Sequence, residues 1–248
     1  MVATRNLEEP TFLRQRGGSL YLFYDELQVE PGLTLPKQLA EVKCRLALYV
    51  SCRSSHEIAA FGLNALGRKR ADGLRPRSSE TASGHAPRVV FLSNGARPSE
   101  VRDAIGREIN RLKTVGIAED EITVLSCRAK DGQNGTRLLP FAKLRGGMRY
   151  WDGTHARFET VRTFKGKESD AVIVAEADET VWDVSRDGTD ALDGVLLYLG
   201  ATRARMELTV VVQMDDAACG RAMKKLDAKV SGPRGRIAFA KYLGADIA

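Results

Sequence analysis

Phe158-Glu-Thr-Val-Arg-Thr-Phe-Lys-Gly-Lys-Glu168 leads through Ser169-Asp170 into the apolar run Ala171-Val-Ile-Val-Ala175. Further on, Leu196-Leu-Tyr-Leu-Gly-Ala-Thr-Arg-Ala-Arg205 leads through Met206-Glu207 into Leu208-Thr-Val-Val-Val212. In each case a basic loop abuts about five apolar or β-branched residues, the pattern of a parallel strand buried on both faces. Both loops are therefore expected at strand or helix ends, beside a sheet.

Working outward, Arg88-Val-Val-Phe-Leu-Ser93 reads as another buried strand. Pro98, with Ser99 and Glu100 behind it, opens a helix that runs to Val115 and stops at Gly116. Val101, Ala104, Ile105, Ile109 and Leu112 form its apolar face at helical spacing, and Glu121 to Ser126 is the next strand. This β-α-β order predicts an α/β fold with a doubly wound, mainly parallel sheet.

Towards the start, Leu20 to Tyr24 reads as a strand that ends in Asp25-Glu-Leu-Gln28, with a breaker at Pro31-Gly32. A short helix is expected over 35–43, a strand over 46–50, and an amphipathic helix from His56 to Leu66. Ser54 or Ser55 would be the N-cap of that helix, with Glu57 in its first turn. Arg68 to Arg77 form a basic run in an exposed loop over 67–88. Asp152-Gly153 signals a hairpin turn, beside which Tyr150 and Trp151 cover a core edge more readily than they stack on bases. Arg203 and Arg205 fall on a helix before a strand, where Asp193 or Glu207 would be ordinary ion-pair partners. A helix from Asp216 to Val230 and a short tail helix complete the chain.

The 248 residues, 43% of them hydrophobic, suffice for one α/β domain and some extra. A formal charge of +6 favours an anionic partner. Cys44, Cys52, Cys127 and Cys219 are dispersed, and His56, His85 and His155 do not cluster with them. Reduced cytosolic thiols are thus expected, with neither a metal site nor a disulfide framework. No apolar run approaches the roughly 20 residues a membrane span needs, so a soluble, cytoplasmic protein without a membrane partner is the expectation.

Thr160-Val-Arg-Thr-Phe-Lys-Gly-Lys-Glu168 resembles the fifth motif of the UvrD/Rep/PcrA group of superfamily 1 DNA helicases. Leu197-Tyr-Leu-Gly-Ala-Thr-Arg-Ala-Arg205 resembles the sixth, the strand ending in Asp25 and Gln28 the third, and the turn carrying Arg53 the fourth. The resemblance implies a RecA-like second motor domain over 33–248, with 1–32 holding the last strand of the first motor domain. It implies ATP and Mg2+ as cofactors, gripped mainly by that first domain of the same parent protein, and single-stranded or partly duplex DNA as partner. Gln28, Arg53 and Arg203 would serve catalysis, Gln28 sensing the γ-phosphate and the arginines supplying charge. Asp25, Gly166 and Glu168 would contact nucleotide, Glu168 through the ribose hydroxyls; Arg162, Thr163 and Lys165 would hold the DNA backbone.

The sequence also departs from that pattern. Tyr24 stands where the third motif has Gly, and no aromatic residues follow Gln28 to stack on bases. Arg162 replaces a common histidine, Lys167 replaces a leucine, and the large inserted subdomain of the group has no counterpart. No Gly-x-x-x-x-Gly-Lys-[Ser/Thr] phosphate loop occurs; Gly62 to Lys69 approaches it, but Arg68 stands in the lysine position. The implied function is the C-terminal motor domain of an ATP-dependent helicase, inactive alone. The alternative is a non-catalytic nucleic-acid-binding or interaction module of RecA-like shape.

Overall fold

The computed structural model describes residues 50–51, 54–67, 77–78, 84–129, 135–183, 194–226, 228 and 232–248. The elements expected over 20–24 and 35–43, with Asp25, Gln28 and Arg53, lie outside the described residues, as does most of the basic loop.

Val50–Ser51 (β1) pairs in parallel with Arg77–Ser78 (β2) as a separate ladder. The other described strands belong to one eight-stranded sheet. They are Arg88–Leu92 (β3), Ile122–Ser126 (β4), Ala142–Arg145 (β5), Met148–Trp151 (β6), Arg157–Thr160 (β7), Ser169–Ala177 (β8), Ala204–Gln213 (β9) and Asp246–Ile247 (β10). Their order is β10-β3-β9-β8-β4-β7-β6-β5, parallel from β10 through β7 and antiparallel for the last two. The expected fold class, an α/β fold with a mainly parallel sheet and helices on both faces, is the one observed.

Pro98–Thr114 (α2) covers one face, and His56–Leu66 (α1), Val195–Ala201 (α3), Asp216–Lys225 (α4) and Arg236–Leu243 (α5) cover the other. The helix α1 has the bounds its periodicity predicts, and the Ser55 hydroxyl accepts from the Ile58 amide at 3.4 Å. In α2 the Glu100 carboxylate accepts from the Arg97 amide at 2.7 Å, and all five predicted apolar positions are buried. Burying each of its isoleucines or its leucine is worth roughly 1.5–3 kcal/mol.

Two boundaries differ from expectation. Strand β9 starts at Ala204, earlier than the apolar run, because Ser169 at the head of β8 pairs with it; this puts Arg203 in a turn and Arg205 in the strand. Arg205 pairs with Asp170 at 3.1 Å, not with Glu207, which lies on the α2 face and bonds Arg111 and His85. Helix α4 ends at Lys225, where Leu226 turns into the core and the Ala228 amide bonds the Met223 carbonyl. Among the described residues no helix is long and apolar enough to cross a membrane.

Candidate functional site

The fifth-motif-like segment is folded by two side chains. Val161 and Phe164 are buried in the core, so Arg162 and Thr163 between them are exposed, and Lys165 is half-buried. The Phe164 amide donates to the Thr160 carbonyl at 3.0 Å and the Lys167 amide to the Phe164 carbonyl at 3.0 Å, making one tight turn. Gly166 closes it at φ 88°, a conformation other residues adopt at a cost. Thr160 and Thr163 bond each other reciprocally, amide to hydroxyl, at 3.1 and 3.2 Å. Glu159 accepts from the Thr163 hydroxyl at 2.8 Å and from Lys167 at 3.4 Å.

This segment joins opposite ends of the sheet. Thr160, at the end of β7, aligns with Ser126 at the carboxyl end of β4, whereas the Ser169 hydroxyl donates to the Glu121 carbonyl just before β4 begins. Arg162 and Thr163 therefore lie near the carboxyl end and Glu168 near the amino end.

At the amino end three remote segments meet. The Ser169 amide donates to the Arg203 carbonyl at 3.1 Å, and the Ser54 hydroxyl donates to the Ala204 carbonyl at 2.8 Å across 150 residues. Arg203 is only 2% exposed. Its Nε donates to the Leu199 carbonyl at 3.2 Å, and its terminal nitrogens reach the Lys167 carbonyl and the Thr202 hydroxyl at 3.5 Å each. A buried guanidinium needs such acceptors, since desolvating it unpaired is costly. The structure thus brings Arg203, Glu168 and the residue after Arg53 together and holds Arg162 and Thr163 at the other end.

Two features had weaker signals in sequence. At the carboxyl end of β8 the Glu176 side chain is buried and its backbone has φ 56°, within a register shift between Val174 and Ala177. Its carboxylate accepts from the Ser126 hydroxyl at 2.5 Å, the Arg137 amide at 2.6 Å and the Thr136 hydroxyl. That set of donors compensates a backbone conformation of the kind that costs about 1–3 kcal/mol. No periodic signal marks such a residue. The second is an exposed row of cations on β5 and β7 around Tyr150 of β6, whose signal was the alternation Lys143-x-Arg145 and Met148-x-Tyr150. Trp151 is buried against Phe158 and Phe141, as expected of an aromatic residue covering a core edge.

Burial first, then the carboxylates of Glu176 and Asp178, push the Cys127 thiol up to about 12. The thiolate is the reactive form. With Cys44 and Cys52 replaced by serine, the native protein is expected to stay unmodified by Ellman's reagent, and both remaining thiols to titrate once denaturant is added. Native labelling of Cys127 would contradict its enclosure.

No protein-family profile matches the chain. No curated protein matches it either. Among solved structures it is similar to the C-terminal domain of a possible DNA helicase from Lactobacillus plantarum WCFS1, at 21% identity and a TM-score of 0.43, over 66% of this chain and 88% of that one.

Proposed function

We propose that this chain provides the arginine-bearing second motor domain of a superfamily 1 DNA helicase, coupling ATP hydrolysis to movement along single-stranded DNA. The observation that carries this reading is the meeting of Ser54, Lys167 to Ser169 and Arg203 to Ala204 at one end of the sheet. These segments carry or adjoin the fourth-, fifth- and sixth-motif-like residues, and the same fifth-motif segment presents Arg162 and Thr163 at the other end.

Cleaving a γ-phosphoryl group requires little covalent help and much positive charge placed around its oxygens. In this reading Arg203 and Arg53 bring that charge, Gln28 senses the γ-phosphate, and Glu168, exposed beside Arg203, accepts from the ribose. Asp25 and Gly166 complete the nucleotide-side loops. The long 3.5 Å bonds of the Arg203 terminal nitrogens are the ones a phosphate oxygen would displace. Arg162, Thr163 and Lys165 hold the DNA backbone. The phosphate loop and magnesium belong to a first motor domain encoded in the same parent frame.

Two results are expected. The purified chain, given ATP, Mg2+ and single-stranded DNA, shows no turnover above background, since the sequence has no phosphate loop; turnover at a helicase rate without a partner would contradict the division of labour. Sequencing the flanking coding region is expected to reveal a phosphate-loop segment upstream. The near-complete burial of Arg203 favours the second reading, a nucleic-acid-binding module without motor role, and substitution at that residue separates the two.

A further inference from the structure

The antiparallel extension of the sheet presents two chemically different faces. Cross-strand partners share a face, so the pairings Ala142 with Trp151 and Leu144 with Arg149 define one side, on which Trp151 packs into the core against Phe158. The pairings Lys143 with Tyr150, Arg145 with Met148 and Tyr150 with Arg157 define the other. Lys143, Arg145 and Arg157 are exposed there, and the Arg145 guanidinium lies over the Tyr150 ring at 5.9 Å.

Among the described residues no carboxylate lies within ion-pair distance of these three cations. The one acid on this side of β7, Glu159, is engaged by Lys167 and Thr163. Lysine on an edge strand commonly guards against strand addition. That role accounts for Lys143 and Arg145 on β5 but not for Arg157, two strands inward, whose neighbours on both sides are already paired. A row of unmatched cations around an aromatic ring is instead the composition of a single-strand platform, in which cations follow phosphates and a ring receives a base.

The geometry points to the outer face of the β5–β6 hairpin and β7 as a binding surface for single-stranded nucleic acid, with Lys143, Arg145 and Arg157 on phosphates and Tyr150 under a base. It would continue the track begun by Arg162 and Thr163 beyond the end of β7. The inference extends the nucleic-acid part of the proposed function and is independent of its ATPase part.

The test is fluorescence anisotropy with a labelled oligothymidylate across a salt series. Lys143→Gln/Arg157→Gln is expected to weaken binding and to reduce the log K against log salt slope by about 1.4, at about 0.7 per lost phosphate contact. Tyr150→Leu, which keeps apolar cover, is expected to weaken binding about fivefold or more. Lys224→Gln/Lys241→Gln, two exposed cations on α4 and α5, makes the same change in net charge and is expected to leave the slope unchanged. Hairpin variants that bind like the unaltered protein overturn the inference, as does duplex binding as tight as single-strand binding or an equal loss in the α4–α5 variant. If Arg162→Gln weakens binding while the hairpin variants do not, the hairpin fails and the proposed function stands. If the hairpin variants weaken binding while no partner domain confers ATPase, the motor reading fails and the surface stands.

Discussion

If the proposed motor role holds, in a motor joining this chain to a phosphate-loop domain Arg203→Lys is expected to lower DNA-stimulated ATP hydrolysis by roughly 10³–10⁵-fold, the range for loss of an arginine that neutralises transferring phosphate. Lysine retains the charge but not the planar fork that meets two oxygens at once, so conservation of charge gives little rescue. Single-stranded DNA affinity should be almost unchanged, because the proposed DNA contacts Arg162 and Thr163 lie at the opposite end of the sheet. The alternative makes a different pattern. If Arg203 serves only the carbonyls of Leu199 and Lys167, the lysine variant melts at a lower temperature while hydrolysis per folded molecule persists. Thermal melting alongside steady-state ATPase distinguishes them, and unchanged turnover would sink the phosphate-directed role.

Gly194→Ala is expected to have the largest effect on stability. This glycine caps α3 at φ 72°, and a Cβ placed on it would lie 2.1 Å from the Ala65 carbonyl oxygen. That oxygen cannot give way freely, since it accepts from the Trp182 indole at 2.9 Å at the end of α1. Left-handed strain of about 1–3 kcal/mol and overpacking of about 1–3 kcal/mol sum to several kcal/mol. At about 2–4 °C per kcal/mol for a chain of this size, the melting temperature should drop by roughly 10 °C. Gly106→Ala is the matched control. Gly106 sits inside α2 with nothing within 4 Å of an added methyl, so the change should stabilise by about 0.5–1 kcal/mol. Similar melting of the two variants would show that the Ala65 contact is not rigid.

The sheet was legible in the sequence because its central strands are buried on both sides and read as unbroken apolar runs. Helices α1 and α2 were legible because capping residues, apolar period and stop signals agreed. The hairpin turn expected at Asp152-Gly153 is observed between β6 and β7, but the β5–β6 hairpin was not legible, since strands as short as Lys143-x-Arg145 alternate without an apolar face long enough to register. Of the candidate site, the turn around Phe164 and the placement of Arg162 and Thr163 outside it follow from local spacing. The burial of Arg203 does not, because arginine ordinarily remains at the surface and here it is buried at the turn after α3, against the Leu199 and Lys167 carbonyls. Gln28, Asp25 and Arg53 fall outside the described residues, so their expected roles rest on the motif resemblance.

Every residue of α3 is buried, and Gly200 brings it so close to β8 that an added methyl would lie 3.0 Å from Val174. Arg203 follows directly from that helix, so its coordinates are inherited from the densest part of the interior. Retuning this guanidinium by directed evolution would therefore demand compensating changes among Val161, Val174 and Gly200, and libraries confined to surface loops should return no improved variants.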